Sequence, residues 1–406
     1  MDLRVEGLAA GGAGVARHEG VVVFVPGAFP GDCVRVRVIE RRRRYWRAEV
    51  VEILQASPHR REPPCSLARE CGGCPWMGLR EEAQREAKVR LVRDALRRIG
   101  GEDDGLVASL VPAPSSLSYR TRVRLRAHGM SVGFRAARSD ALVDVDSCPV
   151  ASVRIREAMV HLRRALRARM PLRWPLQIEL AEQEDSLSLL VRGRGAGFLG
   201  RHVFPSNLGI RLECRDKPAP RARRSFLPFG QANAEQNRRL VSLVEKQLDA
   251  SPGMHLIEFY CGDGNMSLGM ARQGVLVEGI EQNERAVEQA KVRAPSSARY
   301  VSGDALPWLR RRLAEGGRAD RVLLNPPRAG ARALMPSLDG LHASRVVYVS
   351  CDPATLARDL KILTNGSPYV LESVTPLDMM PNTAHVEVVA LLIRRPPASC
   401  ALGSRS

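Results

Sequence analysis

The chain of 406 residues carries 62 Lys and Arg against 44 Asp and Glu, a formal net charge of +18 with a pI of about 10.3. Such a surface favours a polyanionic partner, nucleic acid first. No apolar run approaches the roughly 20 residues of a membrane span, and MDLRVEGLAAGG lacks the basic start and apolar stretch of a signal peptide. The expected compartment is therefore the cytoplasm, with no membrane association, where nine cysteines do not read as a disulfide framework. Five of the 62 cations are lysines, leaving 57 arginines, a bias that genome composition also produces; it weakens arginine as a specific signal but not the net charge.

In chain order, the short apolar runs VVVFV (Val21–Val25), VRVRVI (Val34–Ile39) and AEVVEIL (Ala48–Leu54), separated by turns such as PGAFPGD, predict a small β-barrel over residues 1–57. Arg41–Arg44 with Tyr45 and Trp46 form a basic, aromatic tip, read either as phosphate contact with base stacking or as a solvated hairpin. Ser57–Cys65 has the composition of a linker, and apolar spacing from Val89 to Ile99 predicts a helix over Leu79–Ile99. Alternating segments from Thr121 to Gly193, interrupted by one helix (Val153–Ala168), predict a central domain over 58–222 that ends near RDKPAPRARR (Arg215–Arg224). From about residue 223 to 395 strands and helices alternate (MHLIEF, VLVEGIE, ARYVSGD, RVLLN, RVVYVS), which implies a doubly wound, mostly parallel α/β sheet. Residues 396–406 read as a disordered tail.

Three clusters carry chemistry. Strand LIEF runs into YCGDGN, where Tyr260, Gly262 and Gly264 form a tight turn that lets backbone approach a ligand. Glu281 and Asp304 end the next two strands, placed to meet ribose hydroxyls and an adenine amino group, and this pattern favours S-adenosylmethionine over NAD. Cys65, Cys71 and Cys74, with Cys148 as a fourth thiol, have spacing that favours a structural [4Fe–4S] cluster over zinc. Cys351 lies where strand VVYVS meets helix ATLARDL, a helix N-terminus that stabilises a thiolate, although a buried, inert cysteine fits that position too. Against it stands LLNPPRAG, whose Asn-Pro-Pro is a signature of enzymes that methylate amino groups on bases.

The chain resembles the RNA uracil-C5 methyltransferases that carry an N-terminal TRAM domain and an iron–sulfur cluster. The resemblance runs through GGAGVARHEGVVVFVPGAFPGD, the cysteine set, FGQANAEQN, EFYCGDGN, NPPRAG, SCDPATLARDL and MPNTAHVEVVALL. It implies a Rossmann-like class I methyltransferase domain, a TRAM/OB-like β-barrel and a central α+β iron–sulfur domain. It also implies Cys351 as nucleophile, Glu387 as base, and Gln231, Tyr260, Gly262, Gly264, Glu281, Asp304 and Asn325 around the cofactor. Uracil C5 is too weak a nucleophile to take a methyl group directly, so cysteine addition at C6 and a base for the C5 proton are what the chemistry needs. The implied product is 5-methyluridine in RNA, ribosomal RNA of the 23S type before transfer RNA, made by a monomer; a cytosine-C5 enzyme and a non-catalytic RNA-binding assembly factor are the rivals. The chain departs from the family pattern at Asn325, where relatives have Asp, and at Asp352, where they have Asn. Because the two strands leading to these positions are expected to be neighbours, the pair reads as an exchange that conserves local charge.

Overall fold

The computed structural model describes residues 1–137, 139–183, 186–216 and 230–396. Most of the expected boundary at Arg215–Arg224, and all of the expected tail except Pro396, lie outside the described residues. The chain packs as two compact units. One comprises Met1–Lys88, Pro112–Asn237 and Met379–His385; the other comprises Val89–Val111, Arg238–Asp378 and the segment from Val386 on.

In the first unit, strands β1 (Asp2–Arg4), β2 (Gly7–Leu8), β3 (Gly14–His18), β4 (Val21–Val25), β5 (Cys33–Arg41) and β6 (Tyr45–Gln55) form a sheet in the order β1-β5-β6-β4-β3-β2. The alternation in VRVRV buries Val34 and Val36 and exposes Arg35 and Arg37. Three register shifts between β5 and β6 bend this long pair, and the sheet wraps a core that includes Val5, Val23, Val25, Ala28 and Ala48. Ser57–Cys65 is not the loose linker its composition predicts. The fully buried Asp32 carboxylate needs several donors to offset its desolvation, and it takes them from Phe29 N (2.6 Å), Ser57 N (2.8 Å) and Arg60 Nε and Nη2 (2.8 and 2.7 Å).

A second sheet in this unit comprises β7 (Arg122–Gly129), β8 (Ser131–Arg135), β9 (Leu142–Asp144), β10 (Leu172–Glu182), β11 (Leu187–Arg192) and β12 (Ile210–Arg215), ordered β12-β11-β10-β7-β8-β9. Helix α1 (Glu81–Ala95) precedes it, and α2 (Val153–Arg167) lays Ile155, Met159, Leu162 and Leu166 against Val123, Leu125, Ile178 and Leu180. The buried Asn382 holds the Met379–His385 segment. Its Oδ1 accepts from Arg61 Nη2 (2.8 Å) and Gln84 Nε2 (3.2 Å), and its N–H donates to Gln84 Oε1 (2.8 Å).

The second unit holds β13 (His255–Phe259), β14 (Leu276–Glu281), β15 (Ala298–Ser302), β16 (Arg321–Leu324), β17 (Arg345–Ser350), β18 (Tyr369–Leu377) and β19 (Glu387–Arg394). Their order is β15-β14-β13-β16-β17-β19-β18. The strands from β15 through β17 are parallel, and β19 runs antiparallel to both its neighbours. Helix α3 (Ala234–Leu248) leads into the sheet, and α4 (Leu268–Arg272), α5 (Glu284–Arg293), α6 (Ala305–Ala314) and α7 (Pro353–Thr364) lie between its strands. Two of these, α3 and α6, were not expected. The buried Leu240, Val244 and Leu248 recur at helical spacing in α3, whereas a proline and three consecutive arginines in ALPWLRRRLA mask the apolar face of α6. The chain order reverses after β15, so a crevice opens at the carboxyl ends of β13 and β16, the point where ligands bind in such sheets. Among the described residues no helix is long and apolar enough to cross a membrane.

Candidate active site

Strand register brings the two expected catalytic residues together. Ser350 of β17 pairs with Val388 of β19, so the next position sets Cys351 against Glu387. Glu387 opens a strand that is otherwise apolar, and it is 8% exposed. Burial pushes its carboxyl up to about 7, with Arg328 pulling it down. The Cys351 thiol is raised, first by burial and then by the Glu387 charge, while Arg328 opposes through its charge and a hydrogen bond; Asp352 adds a smaller upward push. The expectation that the helix end would stabilise a Cys351 thiolate is corrected here. Asp352, not Cys351, caps α7, its Oδ1 accepting from Ala354 N (3.1 Å) and Thr355 N (3.0 Å). The free N–H groups at that helix end are therefore engaged by a carboxylate, and the cation that favours a Cys351 thiolate is Arg328.

Arg328, absent from the expected site residues, acts on both Cys351 and Glu387 through its charge. Its loop is pinned by Asp359 of α7, which is fully buried. Asp359 Oδ2 accepts from Ala331 N (2.7 Å) and from Tyr348 Oη (2.8 Å), and Arg358 Nη2 donates to Ala329 O (2.9 Å). Gly330 sits so close to this carboxylate that a Cβ there would lie 2.4 Å from Asp359 Oδ2, at a φ of +78°. The RAG of NPPRAG and the RD of ATLARDL are thus two halves of one clamp. Arg328 lies within the NPPRAG motif, but in a chain with 57 arginines one more carries no separate signal.

The expected cofactor residues of the second unit line the carboxyl ends of adjacent strands. Tyr260, Gly262 and Gly264 follow β13 with φ of 63°, 57° and 81°. Glu281 closes β14; its Oε2 accepts from Gly262 N (3.2 Å) and its Oε1 from Asn283 N (2.9 Å). Asp304 follows β15 at the N-cap of α6, where its side chain makes no cap bond. Asn325 follows β16, with its N–H donating to Phe259 O (3.2 Å). Burial raises the Tyr260 phenol, and Asp359, Asp304 and Glu281 raise it further, which places the tyrosine amid all three acids. The β16–β17 pairing makes the Asn325 and Asp352 strands neighbours, as expected. Gln231 belongs to the first unit, where its carbonyl accepts from Thr121 Oγ1 (3.5 Å).

Cys65, Cys71, Cys74 and Cys148 line a single cavity of ≈ 50 Å³ in the first unit, with Arg120 and Phe134 in its wall. Burial raises the thiols of Cys71, Cys74 (to about 12) and Cys148, and the other cysteines raise them further. Among the described residues no three His, Cys, Asp or Glu side chains are gathered so as to hold a metal ion.

The strand order, the glycine turn at its reversal point and the acids on successive strand ends define a class I S-adenosylmethionine-dependent methyltransferase. The TRAM domain family matches residues 1–51, and the family described as tRNA (Uracil-5-)-methyltransferase matches residues 315–395. The chain is 34% identical over 439 residues to the 23S rRNA (uracil(1939)-C(5))-methyltransferase RlmD of Alkalilimnicola ehrlichii, covering 97% of this chain and 96% of that one. It is 34% identical over 427 residues to the enzyme of the same name from Acidithiobacillus ferrooxidans, covering 96% of each. The Pyrococcus abyssi tRNA (uracil-54, C5)-methyltransferase, solved with S-adenosyl-L-homocysteine, shares the fold at a TM-score of 0.72 and 24% identity, over 97% of this chain and 100% of that one. The chain belongs to the RNA uracil-C5 methyltransferase family.

Proposed function

We propose that the enzyme makes 5-methyluridine in 23S ribosomal RNA through a covalent cysteine intermediate. The observation that carries this reading is the meeting of Cys351, Glu387 and Arg328 at the ends of adjacent strands. Amino-group methylation, which Asn-Pro-Pro otherwise favours, needs neither a thiol nor a buried acid beside it. S-adenosylmethionine, when bound, supplies an electrophilic methyl group, and the turn at Tyr260–Gly264 with Glu281, Asp304 and Asn325 would hold it. Cys351 Sγ adds to C6 of an uracil taken out of its stack, the electron pair of the C5–C6 bond moving onto C5 and O4. Arg328 stabilises the thiolate before this addition and after elimination. Once C5 carries the methyl group, Glu387 removes its proton, the C5–C6 double bond re-forms and the Cys351–C6 bond breaks. A carboxyl held near 7 is partly ionised at neutral pH, as a base in this role requires.

The four cysteines of the first unit would hold a structural [4Fe–4S] cluster as thiolates. What supports this reading is that Cys148, far in sequence from Cys65, Cys71 and Cys74, lines one cavity with them, and thiolates are the usual ligands of such clusters. Target choice is tested by mass mapping of 5-methyluridine in RNA from a strain lacking the gene. Loss of one 5-methyluridine from 23S RNA is expected. Loss from transfer RNA alone would move the substrate, and loss of 5-methylcytidine would overturn the uracil assignment.

A further inference from the structure

The second sheet carries an arginine–aromatic stack that the catalytic site does not use. Leu172 of β10 pairs with Gly129 of β7, yet Leu176 pairs with Ala127. The intervening Arg173, Trp174 and Pro175 therefore bulge out of register, and all three are exposed. Trp174 is 43% exposed, a large indole left at the surface. The turn after β11 closes against this bulge. Gly193, at a φ of +147°, lies where a Cβ would come within 2.6 Å of Pro175 O and Leu176 Cδ2, so a side chain there would push the turn away. Gly195 N donates to Asp216 Oδ1 (3.0 Å) and fixes the turn's far side. The result brings the Arg194 guanidinium over the Trp174 ring at 4.7 Å, with Arg173 at 5.4 Å from the same ring. Nearby, Arg169 lies over Phe198 at 5.5 Å.

Aromatic rings lie against all three of these guanidinium groups. Among the described residues none of Arg169, Arg173 and Arg194 forms an ion pair, whereas neighbouring Arg215 is paired with Glu213 at 2.6 Å. Cations held against rings, with no acid paired to them among the described residues, are ready for an anion, and a planar Trp–Arg stack is ready for another planar group. RNA supplies both, because an unpaired base stacks on indole or guanidinium while its phosphates meet the flanking charges. The tip between β5 and β6 also stacks Arg41 over Trp46 at 4.7 Å and Arg47 over Tyr45 at 5.8 Å, but there Glu40 pairs with Arg47 (3.5 Å) and Arg42 (2.6 Å).

We propose that the β10 bulge and the turn after β11 form a further RNA-contact site, in which an unpaired base of the RNA substrate joins the Trp174–Arg173–Arg194 stack. The proposal rests on the reading that this enzyme acts on RNA. The test uses the full-length protein with a 23S RNA transcript and a short oligouridylate, scored by binding at several salt concentrations and by ultraviolet cross-linking with peptide mapping. A cross-link at Trp174 is expected. Trp174→Ala should weaken binding on the order of tenfold with an unchanged salt slope, and Trp174→Phe should keep most of the affinity. Arg173→Ser with Arg194→Ser should flatten the salt slope by about 1.4, at about 0.7 per contact on single-stranded RNA. Wild-type affinity and slope in all variants, as a protein-binding patch would give, would overturn the proposal. So would equal losses in the Ala and Phe variants that track a fall in melting temperature. Methyl transfer by the wild type is measured in parallel; its absence on RNA would count against the assigned activity, independently of where the cross-link maps.

Discussion

Two groups of cysteines in this enzyme share one physical condition and differ in what surrounds it. Burial raises Cys351 in the second unit, and it raises Cys71, Cys74 and Cys148 in the first. Cys351 has a cation in hydrogen-bond contact and a buried acid opposite it, the surroundings that the proposed mechanism needs. The four cavity thiols have each other, apolar walls and Arg120, and no carboxylate or imidazole is among the described residues that line the cavity. Desolvation alone therefore says nothing about reactivity. The surroundings differ: a cation and a buried acid suit the proposed nucleophile, and a group of neighbouring thiols suits the proposed ligand set, which only bound positive charge would hold as thiolates.

The comparison breaks most visibly under substitution of the cysteines themselves. Cys351→Ala should lower methyl transfer on the order of 10⁴-fold and leave iron content and melting temperature near wild type. Cys148→Ala should do the reverse, losing iron and lowering the melting temperature with residual turnover. Wild-type iron content in Cys148→Ala, by metal analysis of protein purified without oxygen, would remove the ligand assignment. Next in size is Arg328→Ala, which should cost roughly 10²–10³-fold in rate, as loss of one preorganised charge at a reacting centre does; a pH–rate profile should move its thiol limb upward.

Glu387 sharpens the contrast through its titration. Its folded pKa of about 7 lies above the ordinary 4.5, so the folded state holds a proton that the unfolded state releases earlier. That contribution is fully present below about pH 4.5 and is lost as pH rises through 7, a swing on the order of 3 kcal/mol. Glu387→Gln should therefore lose turnover while becoming more stable relative to wild type at pH 8 than at pH 5, by chemical denaturation at both pH values. A pH-independent difference would mean that the acid is not held neutral in the fold. In wild type, the same ionisation requires turnover to rise with pH through about 7.

The smallest expected effect concerns Asn325 and Asp352. Each single exchange, Asn325→Asp or Asp352→Asn, should reduce methyl transfer, and the double exchange should recover much of it. An asparagine at 352 can still cap α7 through its side-chain oxygen, so the single loss there should be modest, about tenfold or less. Strictly additive losses in this cycle would mean that the two departures are unrelated.

Much of this was legible in the sequence, for identifiable reasons. The strands β13 to β17 announce themselves as short apolar runs, and the acids at the ends of two of them made Glu281 and Asp304 candidates, while Asn325 stood out through its Asn-Pro-Pro motif. Glu387 was visible because an acid opening an apolar strand needs a reason. Asp359 was not, because ARDL reads as a solvated helix face although the side chain is fully buried against the Arg328 loop. The effect of Asp352 was hidden for a related reason. Sequence places a thiol near a helix end, but only the cap geometry shows which residue takes the free N–H groups.

The central claim is that Cys351 bonds covalently to the target base, and 5-fluorouridine RNA tests it most directly. Fluorine at C5 cannot leave as a proton, so Glu387 has nothing to remove and elimination stalls. With S-adenosylmethionine and RNA carrying 5-fluorouridine, the wild-type enzyme should give a protein–RNA adduct that survives denaturing electrophoresis, with the cross-linked peptide containing Cys351. Cys351→Ala should give none. An adduct of equal yield in Cys351→Ala would contradict the account.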